Sequence, residues 1–296
     1  MNKVALLVIY NHRFDKNIPR INEIYQKTFS HIYHLMPFYD GDEPNVIPVY
    51  EKSYYFQSYI SQAYVHLKKQ GFTHYFVISD DLILNPVINE SNLWEVTGLP
   101  EDHCMLPRIV EFQKNRDSEW PRIKDAIQYE YQQKGLEIAN ILPSRDEAIR
   151  AFRFHGLSTD PLPRKAYRHF FPSSRLKKHA VLGLFAPKTI TLSYPLVGAY
   201  SDICLITADC MQAFCSYCGA FAAGKLFVEV AIPTAMVLAS EKISYIEDLK
   251  LKRGDMWTKA EVDAILEKAG ASLERMLADF PRDRMYLHPI KLSLYR

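Results

Sequence analysis

The chain has 296 residues, a formal net charge of +2, and 24% charged against 48% hydrophobic residues. That balance excludes disorder, and the length is enough to bury a large core. No run approaches the ~20 consecutive apolar residues of a membrane-spanning helix, and the near-neutral charge gives no general electrostatic basis for binding nucleic acid.

Residues 4–10 (VALLVIY) form a continuous apolar run rich in β-branched side chains, as in a parallel strand buried on both faces. The run is too short for the apolar part of a signal peptide and ends in Asn11-His12-Arg13, so a cytoplasmic location is expected. Residues 17–28 place Ile18, Ile21, Ile24 and Tyr25 at helical spacing. Segments 31–37 and 45–49 read as short strands, and 56–70 as an amphipathic helix capped by Gly71. Residues 73–79 (THYFVIS) are the next strand, and it runs directly into Asp80-Asp81. Strands alternating with helices predict βαβ units and a mostly parallel, Rossmann-type sheet flanked by helices. Ligands of such sheets bind beyond the carboxyl ends of the strands, where Asp80-Asp81 and the loop after the first strand both fall.

Further along, 129–140 and 145–154 read as helices, and Pro161, Pro163 and Pro172 interrupt the next stretch of chain. Segments 192–197 and 202–206 read as strands, 227–240 as a helix, and 258–280 as one long helix with a break at Gly270. Thr258 and Glu261 have the spacing of a capping box. The organisation expected is one large domain: a nucleotide-binding half over 1–100, a loop-rich acceptor-side insertion over 101–190, and an acceptor and catalytic half over 191–296. Residues 164–179 carry six Lys and Arg and no acid, which suits either a solvated loop or peripheral contact with anionic lipid. Cys204, Cys210, Cys215 and Cys218 cluster in sequence, with Cys104 apart. They read either as small buried thiols or as a metal or redox group.

The strongest chemical signal is YFVISDDLILNP, residues 75–86. Two adjacent carboxylates at a strand end repel one another unless a cation compensates, and Mg²⁺ or Mn²⁺ accepts carboxylate together with phosphate oxygens. The plainer alternative is that Asp80 or Asp81 only caps the turn.

With its acidic turn at the end of a hydrophobic strand, the sequence resembles the GT-A glycosyltransferases, with Ser79-Asp80-Asp81 in the place of their acidic motif and SDDLILNP similar to their Glu-Asp-Asp-Leu variants. The resemblance implies a GT-A-like α/β fold and a divalent ion, Mg²⁺ or Mn²⁺, held by Asp81 and by His288 of the tail YLHPIK. It also implies that Asp80 contacts ribose or sugar and that Lys291 pairs with the diphosphate. Glu229, in LFVEVAIPTAMVL, matches the general base at a helix start in inverting members, and Asp202 is the rival acid. Tyr10, Asn11 and Arg13 match the loop that holds the nucleotide. The activity implied is transfer of a hexosyl, deoxyhexosyl or N-acetylhexosaminyl group from a nucleotide-diphosphate sugar. The acceptor would be a saccharide or lipid-linked saccharide, in bacterial surface polysaccharide, lipopolysaccharide or O-antigen synthesis.

Two other classes remain open from the residues alone. A metal-dependent nucleotidyltransferase or phosphohydrolase also places acidic pairs at strand ends, although the loop after the first strand lacks glycine. A non-catalytic α/β binding module predicts no metal-dependent nucleotide binding.

Overall fold

The computed structural model describes residues 3–114, 122–138, 140–163 and 189–296. The basic segment 164–179 lies outside the described residues. In chain order the elements begin with β1 (Val4–Ile9), α1 (Asn17–Tyr25), β2 (Ile32–Pro37), β3 (Val46–Val49), α2 (Gln57–Leu67) and β4 (His74–Ser79). They continue through β5 (Ile83–Leu84), α3 (Leu93–Thr97), β6 (Cys104–Leu106), α4 (Ile123–Gln128), α5 (Arg145–Phe154), β7 (Leu162–Pro163) and β8 (Thr189–Ile190). The last are β9 (Ile203–Thr207), α6 (Ala208–Ala223), α7 (Val228–Ala239), β10 (Ile243–Tyr245), α8 (Lys259–Lys268), α9 (Leu273–Ala278) and β11 (Tyr286–Leu287).

The chain divides into two compact units interleaved in sequence. The first comprises 1–108, 202–211 and 242–296; the second comprises 109–201 and 212–241. Helix α6 is shared between them.

The first unit is built on a seven-stranded sheet in the order β10-β6-β9-β4-β1-β2-β3. Strands β1, β2, β3 and β4 are mutually parallel, and β10 is parallel to β6. Every residue of β1 and β4 is buried, which is why both runs lack polar alternation. Burying each large aliphatic side chain of these strands contributes about 1.5–3 kcal/mol. On the α1 side, Phe29 packs edge-on against Phe76 of β4 and against Tyr25. The α/β expectation therefore holds, with one addition. Strand β9 enters between β4 and β6 antiparallel to both, so its amino-terminal end lies at the carboxyl end of β4.

The long helix expected over 258–280 is two helices. Gly270 and Ala271 both adopt left-handed backbone, φ +56° and +55°, which an α-helix cannot continue through. The capping box forms as its spacing predicts: Glu261 N donates to Thr258 Oγ1 and Thr258 N donates to Glu261 Oε2.

The second unit holds α4, α5 and α7, with the short β7–β8 ladder and a cluster of Tyr129, Tyr131, Tyr194 and Phe221. Helix α5 matches its predicted bounds, set by a capping box of Ser144 and Glu147. Two expectations fail here. The described residues of 129–140 are turns and irregular chain, preceded by the short α4, and 192–197 form no strand, with only a single bridge of Val110 with Gly198 just beyond. Side-chain hydroxyls take the place of a ladder in both stretches. Ser193 Oγ donates to Tyr129 O at 2.6 Å and accepts from Tyr131 N, while Thr234 Oγ1 accepts from Val197 N. Pro195 offers no donor at all.

All five cysteines are buried free thiols. Cys104 of β6 and Cys210 of α6 bring their sulfurs to 3.2 Å.

Candidate active site

The acidic turn is held from three directions within the first unit. Asp80 N donates to Ile9 O, which ties the turn to the end of β1, and Leu82 N closes it onto Ser79 O. Ser79 N donates to Asp202 O at 2.9 Å. That contact results from register: Ile78 pairs Ile203 in the antiparallel ladder, so residue 202 stands opposite residue 79. The third hold comes from the C-terminal segment. Strand β5, just after the turn, pairs antiparallel with β11, matching Ile83 to Leu287 and Leu84 to Tyr286. The next residue on the β11 side is His288, and Ile290 N donates to Asp81 O at 2.6 Å.

His288 Nε2 lies 3.4 Å from Asp81 Oδ1 and 3.9 Å from Asp202 Oδ1. These are charge contacts rather than well-formed hydrogen bonds. Accordingly, Asp81 Oδ1 and the buried Ser79 Oγ have no partner of hydrogen-bonding geometry. Behind the imidazole, His288 bridges Asp255, and His288 N donates to Gly254 O. A Cβ on Gly254 would stand 1.7 Å from Tyr286 O, so only glycine permits this approach. Asp255 accepts from the Tyr286 hydroxyl at 2.8 Å and lies 3.4 Å from Arg253 Nε.

The charges in this cluster move one another. Burial pushes His288 toward the neutral form, but Asp81, Asp202 and Asp255 more than offset it, and its pKa is raised to about 9. At neutral pH His288 is therefore an imidazolium between carboxylates. Burial raises Asp81, yet contact with His288 outweighs it and holds the carboxyl below the ordinary range. Asp202 goes the other way: burial raises it, and His288 only partly compensates. Asp80 stands apart. Its Oδ2 accepts from Asn17 Nδ2 at 2.9 Å, and burial, aided by the Asp81 charge, raises it to about 6.

Two carboxylates, an imidazole and an unpartnered carboxylate oxygen are a donor set suited to Mg²⁺ or Mn²⁺. Among the described residues, no group of three or more His, Cys, Asp or Glu side chains could hold a metal ion as it stands. The imidazolium supplies the compensating positive charge between Asp81 and Asp202. Asp81 and His288 are the residues that could hold a divalent ion, on condition that His288 gives up its proton.

The other predicted residues fall in different surroundings. Tyr10 is fully buried and its hydroxyl shares a 2.8 Å hydrogen bond with His34 Nδ1. In this conformation its ring is core, not a platform for a base. Asn11 is exposed in the loop after β1. Arg13 is gripped bidentately by Asp15 and also bonds Asp40, so its guanidinium is engaged by carboxylates rather than left for phosphate. Lys291 is exposed just beyond Ile290. Glu229 belongs to the second unit, in the first turn of α7, where its Oε2 lies 3.9 Å from Arg122 Nε.

Sequence reasoning missed Asn17 and Asp255. Asn17 at the start of α1 had a faint signal, since a polar residue there turns toward the loop edge where ligands bind. Asp255 had none, because only the β11 pairing brings it to His288. No protein-family model matches the chain, and no curated protein matches it significantly.

Proposed function

We propose that the protein is a glycosyltransferase that uses a nucleotide-diphosphate sugar, with the diphosphate beside the cluster of Asp81, Asp202 and His288, of which Asp81 and His288 would hold a divalent ion. The observation that carries this reading is the meeting of those three side chains, from three distant parts of the chain, at the carboxyl end of β4. A divalent ion bound there would neutralise the charge that develops on the departing diphosphate.

The chain's own groups divide the remaining roles. Asp81 is the anion of the site. Asp80, close to half-protonated near pH 6, is suited to hydrogen-bond a ribose or sugar hydroxyl. Glu229 stands in the first turn of α7, 3.9 Å from Arg122 Nε, where the helix dipole suits an acidic side chain. It takes the proton of an acceptor hydroxyl. The acceptor oxygen attacks the anomeric carbon, and the bond to the diphosphate breaks with its electron pair leaving on phosphate. Configuration inverts. The acceptor class is a saccharide or lipid-linked saccharide of a bacterial surface polymer.

Melting the protein with Mn²⁺ and each of UDP, dTDP, GDP and CMP tests the reading. Stabilisation by at least one pair is expected; none by any would sink it. Glu229→Gln should then lower turnover by about 10²–10⁴-fold while donor affinity stays unchanged. Full activity in that variant would transfer the base role to Asp202.

A further inference from the structure

Beside the Asp81–His288 cluster, and still within the first unit, a cavity of about 290 Å³ is lined by Glu247, Lys252, Arg253, Asp255, Trp257 and Arg284. Three of the six side chains are cationic and two are acidic. The two acids offset the cations only in part. Asp255 is taken up by the Tyr286 hydroxyl and by Arg253 Nε, and Glu247 is exposed. Lys252 Nζ is fixed by the carbonyls of Glu247 and Leu249, at 2.9 and 2.7 Å. Arg284 Nη1 donates to Arg253 O at 2.5 Å, and its Nε lies 3.4 Å from Asp283 Oδ2, a mostly exposed carboxylate. The carbonyls hold Lys252 at the wall without compensating its charge, because a carbonyl is neutral. Arg253 keeps one buried nitrogen, Nη1, without a hydrogen-bond partner, a costly state for a guanidinium. Trp257 stands 63% exposed at the rim, an unusual position for the largest apolar side chain.

Guanidinium groups recognise phosphate and carboxylate through paired N–H donors, and an exposed aromatic face packs against the C–H face of a sugar ring. The volume matches the lower end of small-molecule sites, about 300 Å³. We propose that this cavity binds a sugar carrying an anionic substituent, phosphate or carboxylate, with Arg253 and Arg284 on the anion and Trp257 on the ring. If the transferase reading holds, this ligand is the acceptor, and that assignment alone rests on it; the binding itself does not.

Calorimetric titration of the full-length protein in chelator, without nucleotide, isolates the cavity from any metal-dependent site. The probes are glucose 6-phosphate, glucuronic acid, inorganic phosphate and glucose. Saturable binding of glucose 6-phosphate or glucuronic acid is expected, and the stronger of the two identifies the anion; glucose should bind at least about tenfold more weakly. Arg284→Gln and Trp257→Ala alter exposed side chains, so both should fold. Arg284→Gln should weaken the anionic sugar about tenfold, and Trp257→Ala should weaken it while leaving inorganic phosphate unchanged. Asp81→Asn should leave all four titrations unchanged, which separates this site from the one it adjoins. No saturable binding by either anionic sugar, or equal affinity in Arg284→Gln, would overturn the proposal.

Discussion

Asp80 bonds to the start of α1 and Asp81 contacts the C-terminal segment, and the two neighbouring carboxyls respond in opposite directions. Asp81 has a cation beside it, so burial is outweighed and it stays ionised. Asp80 has the Asn17 amide in place of a cation, so burial wins and its pKa is raised to about 6. The same residue type, one position apart, becomes a fixed anion on one side and a group able to carry a proton on the other. Such division is how one strand end can serve both a cationic partner and a hydroxyl.

The largest expected effect comes from removing the fixed anion. Asp81→Asn should reduce sugar transfer by about 10²–10³-fold and abolish the Mn²⁺-dependent part of nucleotide stabilisation, measured by turnover and melting. Next is His288→Gln, which leaves Asp81 and Asp202 without their counter-charge and should cost about 3 kcal/mol of unfolding free energy at pH 7. The wild-type contribution of His288 has a defined window. Its folded pKa, about 9, lies above the ordinary value of 6.5, so the stabilisation is full below pH 6.5 and is lost as pH rises through 9. Denaturant titrations from pH 6 to 10 should show that fall in the wild type and none in the variant.

Asp80 also loses stability with rising pH, but in a lower window and because its charged form is the disfavoured one. Its folded pKa, about 6, lies above the ordinary 3.8, so the folded state loses stability as pH rises from 3.8 to 6. Asp80→Asn should therefore stabilise the protein by about 2 kcal/mol above pH 6 and leave it unchanged below pH 4. Smallest is Asn17→Ala. It removes the side-chain hydrogen bond that lowers Asp80, so Asp80 should titrate still higher by NMR, at a stability cost of about 1 kcal/mol. An unmoved Asp80 resonance would show that the amide does not hold that carboxyl.

Part of this contrast was legible beforehand. The run 73–79 ending in Asp80-Asp81 announces a buried strand delivering acids to a sheet edge, and β4 does so. His288 was placed near Asp81 through a resemblance, and the β5–β11 ladder supplies the physical reason. Local spacing also announced the Thr258–Glu261 capping box, whereas the Ser144–Glu147 box, of the same four-residue spacing, emerged only in the structure. Tyr10 and Arg13 show where local reading stops. A tyrosine at a strand end has the same sequence signature whether it faces solvent or His34, and an arginine in a loop does not reveal that Asp40 will meet it.

The sequence by itself determined the strands β1 and β4, the acidic turn that follows β4, and the bounds of α5 and α7 to within a residue, because periodicity and caps are encoded within a few residues. Only the tertiary structure decided that β9 runs antiparallel and that 129–138 and 192–197 are irregular. It alone decided that Asp202 and Asp255 join His288, and that Asp80 and Asp81 part in charge. Those outcomes depend on ladder register and on which distant group arrives beside a carboxylate. Both are set by pairings across the whole sheet, and no single segment of chain contains them.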